Sequence, residues 1–281
     1  MTREPVYIIK AGGERELWNE AKLVYSLRTA KASEELTREI VGHVEQDIRD
    51  GMRTTDIYNH AFELLKRANP HAAAEYSLKR ALMQLGPSGF AFEKFIGEIL
   101  AAEGYRTSTG VMVQGECVEH EVDVVAEKSS ERIMVEAKYH NQPDTKSDVK
   151  VALYVHARFE DIKKRLSHSA AGMGVFTKAW LITNTSFTTQ AIQYAECAGL
   201  ALTGWNYPKG HTLQDLVQRT QSHPITCLTS LSDHHKSELL QNGIVLCKDI
   251  IRDQSALTKM GMNKSSIANV VTEGQSLCPI E

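Results

Sequence analysis

The most constraining feature of the sequence is a pair of short alternating segments, Val122–Ala126 and Ile133–Lys138, separated by six charged or small residues. Apolar and polar side chains alternate in both segments, as they do in strands that have one buried face. The spacing predicts an antiparallel hairpin with residues 127–132 as its loop. Ala126 is expected to pair with Ile133, which fixes the register of the whole hairpin.

This register places two carboxylates face to face. Asp123 lies opposite Glu136, and Lys138 shares a strand face with Glu136. Facing carboxylates repel each other unless a cation lies between them. Oxygen ligands suit Mg²⁺ better than Zn²⁺, and a bound Mg²⁺ beside a lysine is suited to phosphodiester hydrolysis. A solvated hairpin whose charged residues simply alternate with Val and Ile is the alternative that the residues leave open.

A predicted helix precedes the hairpin. Within residues 92–100 the apolar side chains form one helical stripe, and the segment ends at Gly104–Tyr105. Glu93 lies at the edge of this stripe, near the start of the helix. From there it can reach a neighbouring metal site.

The order of these residues resembles the PD-(D/E)xK nucleases, and within them the Mrr-like restriction endonucleases and archaeal Holliday-junction resolvases. The shared pattern is Phe-Glu, a helix leading to Gly-Tyr, an Asp in one strand and Glu-x-Lys in the next. Val122 replaces the usual Pro, and many Mrr-like proteins have Gln at the position of Glu136. The resemblance implies a DNA-cleaving site formed by Glu93, Asp123, Glu136 and Lys138. The first three would bind Mg²⁺ or Mn²⁺.

Residues 1–86 predict a separate, mostly helical domain. Val6–Lys10 has the pattern of a strand, and Ala11–Glu14 has the glycines of a tight turn. Four stretches of helical periodicity follow. The pattern alone leaves open a helical bundle that serves only as an interaction module.

This domain resembles an ATP-cone, the nucleotide-sensing domain of ribonucleotide reductases and their transcriptional repressors. The resemblance covers nearly all of residues 4–84, from the V-x-I-x-K strand to Tyr76. Ala11 stands where the family usually has an arginine, which should weaken nucleotide binding or alter its selectivity. No Walker A sequence is present, so ATP or dATP is expected as an effector and not as fuel. The residues that the resemblance implies for nucleotide binding are Lys10, Glu16, Lys22, Thr54 and Tyr58.

Composition predicts a cytoplasmic protein of two or three domains. The 281 residues are 42% hydrophobic and 24% charged, and they contain no apolar run long enough to span a membrane. Charged residues near the N-terminus argue against a signal peptide. Five scattered cysteines without CxxC spacing predict reduced thiols. A net charge of −3 requires that any DNA-binding surface be local.

Residues 138–168 are one candidate for such a local surface. They contain seven basic residues against four acidic ones. A track of contacts to the DNA backbone and a solvated helix face both remain open. The basic residues are Lys138, Lys146, Lys150, Arg158, Lys163, Lys164 and Arg165.

The remaining segments complete the predicted core and add a helical tail. Ala179–Thr183 and Leu200–Trp205 are predicted strands that flank a helix, as an α/β core requires. In the tail, two helix-Gly-apolar-helix junctions at Gly243 and Gly261 resemble tandem helix-hairpin-helix units. Such units bind DNA phosphates through backbone N–H groups. A plain packing or dimerisation module is the alternative.

The sequence therefore predicts an α/β chain of three domains. They are an ATP-cone-like domain (1–86), a restriction-endonuclease-like mixed-sheet core (87–212) and a small helical, helix-hairpin-helix-like domain (213–281). The expected function is Mg²⁺-dependent DNA cleavage regulated by ATP or dATP, in a homodimer by analogy. One alternative is a nucleotide-sensing DNA-binding or scaffold protein without cleavage activity. Another is an interaction protein without a nucleic-acid partner, which the acidic pI favours.

Overall fold

The computed structural model describes residues 5–10, 12–167 and 174–279, so Ala11 and His168 lie outside the described residues. The chain divides into two compact units. The first runs to Leu78 and includes Cys227–Thr229, and the second begins at Lys79. No helix in these ranges is long and apolar enough to cross a membrane.

In this division the residues just before the Gly-Pro-Ser linker belong to the second unit. The Tyr139 hydroxyl donates to the Met83 carbonyl at 2.6 Å, and the Thr226 hydroxyl donates to the Ala81 carbonyl at 2.8 Å. These bonds hold a segment whose sequence alone looks like the end of the preceding helical domain. The predicted domain limits at residues 86 and 212 stay predictions.

The first unit has the predicted strand, turn and helices. Leu27, Ala61 and Leu65 are fully buried in its core. Side chains of Asn19 and Ser33 cap two of the helices by accepting bonds from backbone N–H groups, which explains where those helices begin. The elements are β1 (Tyr7–Ile9), β2 (Arg15–Leu17), α1 (Glu20–Thr29), α2 (Glu34–Asp47), α3 (Thr54–Ala68) and, reaching the boundary, α4 (Pro70–Leu82).

The second unit is built on a five-stranded mixed sheet of order β3-β4-β5-β7-β9. The first three strands are antiparallel, and β5, β7 and β9 are parallel. Ile133, Met134 and Val135 are all buried, so the central strand is covered on both faces. The elements are α5 (Phe90–Ala102), β3 (Arg106–Gln114), β4 (Glu119–Lys128), β5 (Glu131–Lys138), β6 (Lys146–Ser147), α6 (Val149–Ser167), β7 (Lys178–Thr183), β8 (Ser186–Phe187), α7 (Thr189–Ala198) and β9 (Ala201–Thr203).

The central hairpin has the predicted register but not the predicted loop. Ala126 pairs with Ile133, as expected. Glu127 and Arg132 then also pair, and the turn is only Ser129–Ser130. The six-residue loop was wrong because the Arg132 guanidinium lies 3.2 Å from the Glu127 carboxylate, so these charged side chains extend the ladder.

The C-terminal helices are joined by two junctions of the same geometry. Gly243 and Gly261 have φ values of 72° and 76°, which glycine adopts without steric cost. In each junction the N–H of the next residue donates to a carbonyl five residues earlier, the Schellman pattern that ends a helix. The helices are α8 (Leu213–Thr220), α9 (Asp233–Gln241), α10 (Cys247–Arg252), α11 (Ser255–Lys259) and α12 (Lys264–Leu277).

Candidate functional site

Asp123 lies where the central hairpin loses its backbone pairing. The ladder between β4 and β5 is regular up to the pair Val124 and Val135. One residue further, the Asp123 carboxylate accepts a hydrogen bond from the Ala137 N–H at 2.8 Å. On the other side of β4, the register places Gly110 opposite Asp123, and Gly110 has a φ of 62°. Both neighbouring strands therefore depart from regular geometry at this carboxylate.

The predicted acidic residues interact electrostatically. Burial and then the negative charge of Glu136 raise the pKa of Asp123 to about 7, and Glu93 adds to the effect. The Ala137 N–H and the charge of Arg158 oppose this rise. Burial, followed by the charges of Glu121 and Glu136, also raises the pKa of Glu93. Burial and the neighbouring carboxylates thus both oppose the ionisation of Asp123 and Glu93.

Glu136 has a partner that sequence reasoning did not assign to it. Its carboxylate forms an ion pair with Arg158 at 2.5 Å, and Arg158 is only 8% exposed. Arg158 was counted within the basic segment, but its burial makes it unsuitable for a surface contact with DNA. A signal was present, because position 158 is three residues after Val155 and four before Ile162, on the buried stripe of α6.

Lys138 ends β5, and the backbone that follows it is firmly held. The Asn184 side chain accepts from the His140 N–H and donates to the His140 carbonyl, both at 2.9 Å. Tyr139 is anchored through its hydroxyl. Within the described ranges the Lys138 ammonium makes no hydrogen bond or ion pair. Burial and the positive charge of Lys138 lower the pKa of His140.

The carboxylate oxygens of Asp123 and Glu136 suit a hard divalent cation only if other ligands complete its coordination shell. Among the residues that the structure describes, no three His, Cys, Asp or Glu side chains are grouped to hold a metal, and this includes Glu93, Asp123 and Glu136. Mg²⁺ is commonly held by one or two carboxylates together with water and substrate phosphates. The raised pKa of Asp123 reflects its burial and the negative charge of Glu136, and a nearby cation would offset both effects. The pair Asp123 and Glu136 therefore fits such a cation.

The first unit contains a cavity of about 260 Å³ that all five predicted nucleotide-binding residues line. One of them directly follows β1 and the others lie on β2, α1 and α3, and the fold brings them together. Trp18, Ser26 and Tyr76 also contribute to the wall. The five residues are Lys10, Glu16, Lys22, Thr54 and Tyr58.

The walls of this cavity differ in chemistry. Glu16 forms ion pairs with Lys10, at 2.6 Å, and with Lys22. Tyr58 and Tyr76 stack with their ring centroids 5.0 Å apart, and burial raises the pKa of Tyr76. The Nε1 atom of Trp18 is buried and has no hydrogen-bond partner within the described ranges. Cations, aromatic rings and an unsatisfied donor together suit a ligand with both anionic and flat aromatic parts.

Two family models match the chain. Residues 86–209 match the model described as a restriction endonuclease, Mrr_cat, and residues 223–278 match the model described as AF1548-like, C-terminal. These ranges lie close to those predicted for the nuclease core and the C-terminal domain.

Individual proteins are also similar to this chain. An uncharacterized protein of Archaeoglobus fulgidus is 37% identical over 183 residues, which are 65% of this chain and 99% of that protein. The crystal structure of AF1548, a protein of unknown function, is 35% identical, covers 68% of this chain and 99% of its own, and has a TM-score of 0.56. The MspJI restriction endonuclease in complex with a 27-mer oligonucleotide is 16% identical, covers 61% of this chain and 36% of its own, and has a TM-score of 0.36.

Proposed function

This chain belongs to the AF1548-like family and contains a restriction-endonuclease domain, and we propose that it is a metal-dependent DNA endonuclease. One observation carries the proposal. Two coupled carboxylates, Asp123 and Glu136, lie at the point where the central hairpin opens, and Lys138 follows two residues later. The match of residues 86–209 to the restriction-endonuclease model supports the same reading.

In this proposal each residue has a separate task. Asp123 and Glu136 would hold Mg²⁺ or Mn²⁺, and the negative charge of Glu93 would add to the attraction for the cation. A cation bound there would supply charge stabilisation and lower the pKa of a bound water. Lys138 places its ammonium group against the phosphate, where it stabilises developing negative charge. Asn184 fixes the backbone that follows Lys138 through two hydrogen bonds to His140.

We propose that ATP or dATP binds in the cavity of the first unit as an effector, through an ATP-cone-like site. Lys10 and Lys22 provide positive charge for phosphates, while Tyr58 and Tyr76 provide flat surfaces for a base. Glu16 forms ion pairs with both lysines and so holds them at the edge of the cavity.

The C-terminal helices support DNA as the partner. Their two helix-Gly-helix junctions resemble helix-hairpin-helix units, which bind phosphates through backbone N–H groups at a helix N-terminus. We expect them to hold the duplex while the sheet carries the hydrolytic site, in a homodimer if both strands are cut.

The cleavage test compares the native chain with Lys138→Ala and a matched control, Lys178→Ala. Lys178 is exposed and lies at the other end of the same strand pair. Supercoiled and branched DNA are incubated with Mg²⁺ or Mn²⁺, with and without ATP or dATP. We expect Lys138→Ala to lose about 10²- to 10³-fold in rate, as for other charge-stabilising groups, and Lys178→Ala to cut like the native chain.

Equal cutting by the native chain and Lys138→Ala would remove Lys138 from the mechanism. If no protein cuts DNA but all bind it, the chain is a nucleotide-sensing DNA-binding protein. The Glu136–Arg158 pair is the observation that favours this second candidate, because it partly neutralises the site without a metal. Nucleotide binding is read separately from the change in tryptophan fluorescence, which Lys22→Ala should reduce.

A further inference from the structure

Arg158 connects the two strands that carry the candidate metal ligands. Its Nη1 donates to Oε2 of Glu136 on β5 at 2.5 Å, and its Nη2 donates to the backbone carbonyl of Glu121 on β4. Glu121 is two residues before Asp123. The guanidinium therefore crosses the hairpin on the side where the backbone ladder has ended.

The chemistry of this bridge requires an arginine. A guanidinium is a planar fork with several donors in fixed directions, so it can satisfy a carboxylate and a carbonyl at once. A lysine ammonium is a compact charge without that span. Tyr154, one helical turn earlier on α6, lies with its ring centroid 5.2 Å from the guanidinium carbon. The charge of Arg158 is thus buried, paired and fixed.

Removal of this bridge would free the carboxylate of Glu136. Asp123 would keep its bond from the Ala137 N–H, whereas Glu136 would lose the ion pair that fixes it. The mutual repulsion of the two acids would then favour conformations in which they lie further apart. The ion pair with Arg158 uses Oε2 of Glu136 and leaves Oε1 for another ligand.

We propose that Arg158 is the positioning residue of the metal-binding pair, because it sets the separation of Asp123 and Glu136 and thereby the affinity for a divalent cation. The inference rests on the proposed function. Arg158 acts through Glu136 and contacts neither DNA nor the reacting atoms. A guanidinium that merely replaced a metal as counter-ion would have the opposite effect, since its removal would strengthen cation binding.

The test measures Mn²⁺ binding to the full-length protein without DNA, by titration calorimetry or by the EPR signal of free Mn²⁺. The variants are Arg158→Met and Arg158→Lys. The matched control is Arg106→Met, which breaks the Arg106–Glu127 pair of 2.5 Å on the exposed part of the same sheet. We expect Arg158→Met to bind Mn²⁺ about 10- to 100-fold more weakly, the usual loss when a group that orients a metal ligand is removed. Arg106→Met should bind like the native chain.

Arg158→Lys keeps the charge but not the fork, so it serves if Arg158→Met does not fold. We expect its Mn²⁺ affinity to fall by about tenfold. In DNA cleavage, both variants should need about 10- to 100-fold more Mn²⁺ than the native chain to reach half of their maximal rate. Their KM for DNA should stay unchanged, because Arg158 does not touch the substrate.

Two results separate the inference from the proposed function. Equal or tighter Mn²⁺ binding by folded Arg158 variants overturns the positioning role and leaves the nuclease proposal intact. A native chain that binds no Mn²⁺ overturns the metal-dependent mechanism, and the positioning role fails with it.

Discussion

Asp123→Asn should stabilise the metal-free protein at neutral and alkaline pH. The carboxylate is held where burial and Glu136 oppose its ionisation, so that its pKa is about 7 in the folded chain against an ordinary value of 3.8. Asparagine carries no charge and still offers an oxygen to the Ala137 N–H. The substitution therefore removes the electrostatic cost and keeps the hydrogen bond.

The sign and size of this change in stability follow from the linkage between proton binding and folding. Between pH 4 and 7 the folded protein binds more protons at Asp123 than the unfolded chain, so the stability of the native protein falls as pH rises and is constant above about pH 7. A tenfold change in proton affinity is worth about 1.4 kcal/mol. The rise of the Asp123 pKa from 3.8 to about 7 therefore sets an upper limit of about 4 kcal/mol on the stability that the substitution can add. Solvent that reaches the partly exposed carboxylate reduces this, and we expect a gain of about 2 kcal/mol at pH 8.

The assay is urea denaturation in EDTA at several pH values from 4 to 8. The gain of Asp123→Asn over the native chain should be near zero at pH 4 and largest above pH 7. Asp144→Asn, at an exposed carboxylate, is the control and should show little gain at any pH. Adding Mg²⁺ should stabilise the native chain more than the variant. A variant that is no more stable than the native chain at pH 8 would refute the argument that burial and Glu136 oppose the ionisation of Asp123.

Two further predictions concern residues that support the site or the hairpin beside it. In Gly86→Ala the new Cβ would lie 2.7 Å from the Tyr139 hydroxyl, so the Tyr139 ring must shift away from Met83. We expect urea denaturation to show that the free energy of unfolding falls by about 1–3 kcal/mol, and unchanged stability would contradict this packing. The Asp161 carboxylate raises the pKa of the Cys117 thiol through a hydrogen bond and its negative charge. Asparagine has no charge and is a weaker acceptor, so Asp161→Asn should lower this pKa and speed iodoacetamide labelling at pH 8 in a Cys197→Ser background; an unchanged rate would show that Asp161 does not control this thiol.

Local periodicity was sufficient for the parts of the site that lie close together in the chain. Alternation of apolar and polar residues gave the strands and the pairing of Ala126 with Ile133, because the buried face admits only one register. The turn could not be read in the same way. A run of charged residues on either side of Ser129–Ser130 has the composition of a loop. The sequence does not show that Glu127 and Arg132 form an ion pair across the two strands.

Partners from distant parts of the chain were the ones missed. Arg158 and Asn184 reach the site only because α6 and β7 pack onto the hairpin, and periodicity does not specify which residues of two packed elements meet. In the cavity of the first unit, by contrast, residues that are distant in the sequence were predicted. Its five predicted residues were identified through a family resemblance, and the fold places them around one space although they are separated in the sequence.

The two-residue turn at Ser129–Ser130 also bears on the order of folding. A hairpin with so short a connection closes early, whereas the parallel pairing of β5 with β7 must wait for a long segment to fold between them. In the early hairpin Asp123 faces Glu136 in water, where their repulsion is weak. We expect the full repulsion to develop only when α6 and β7 bury the pair, after the rate-limiting step of folding. Asp123→Asn should consequently slow unfolding while leaving the folding rate nearly unchanged, which stopped-flow measurements of both rates can establish.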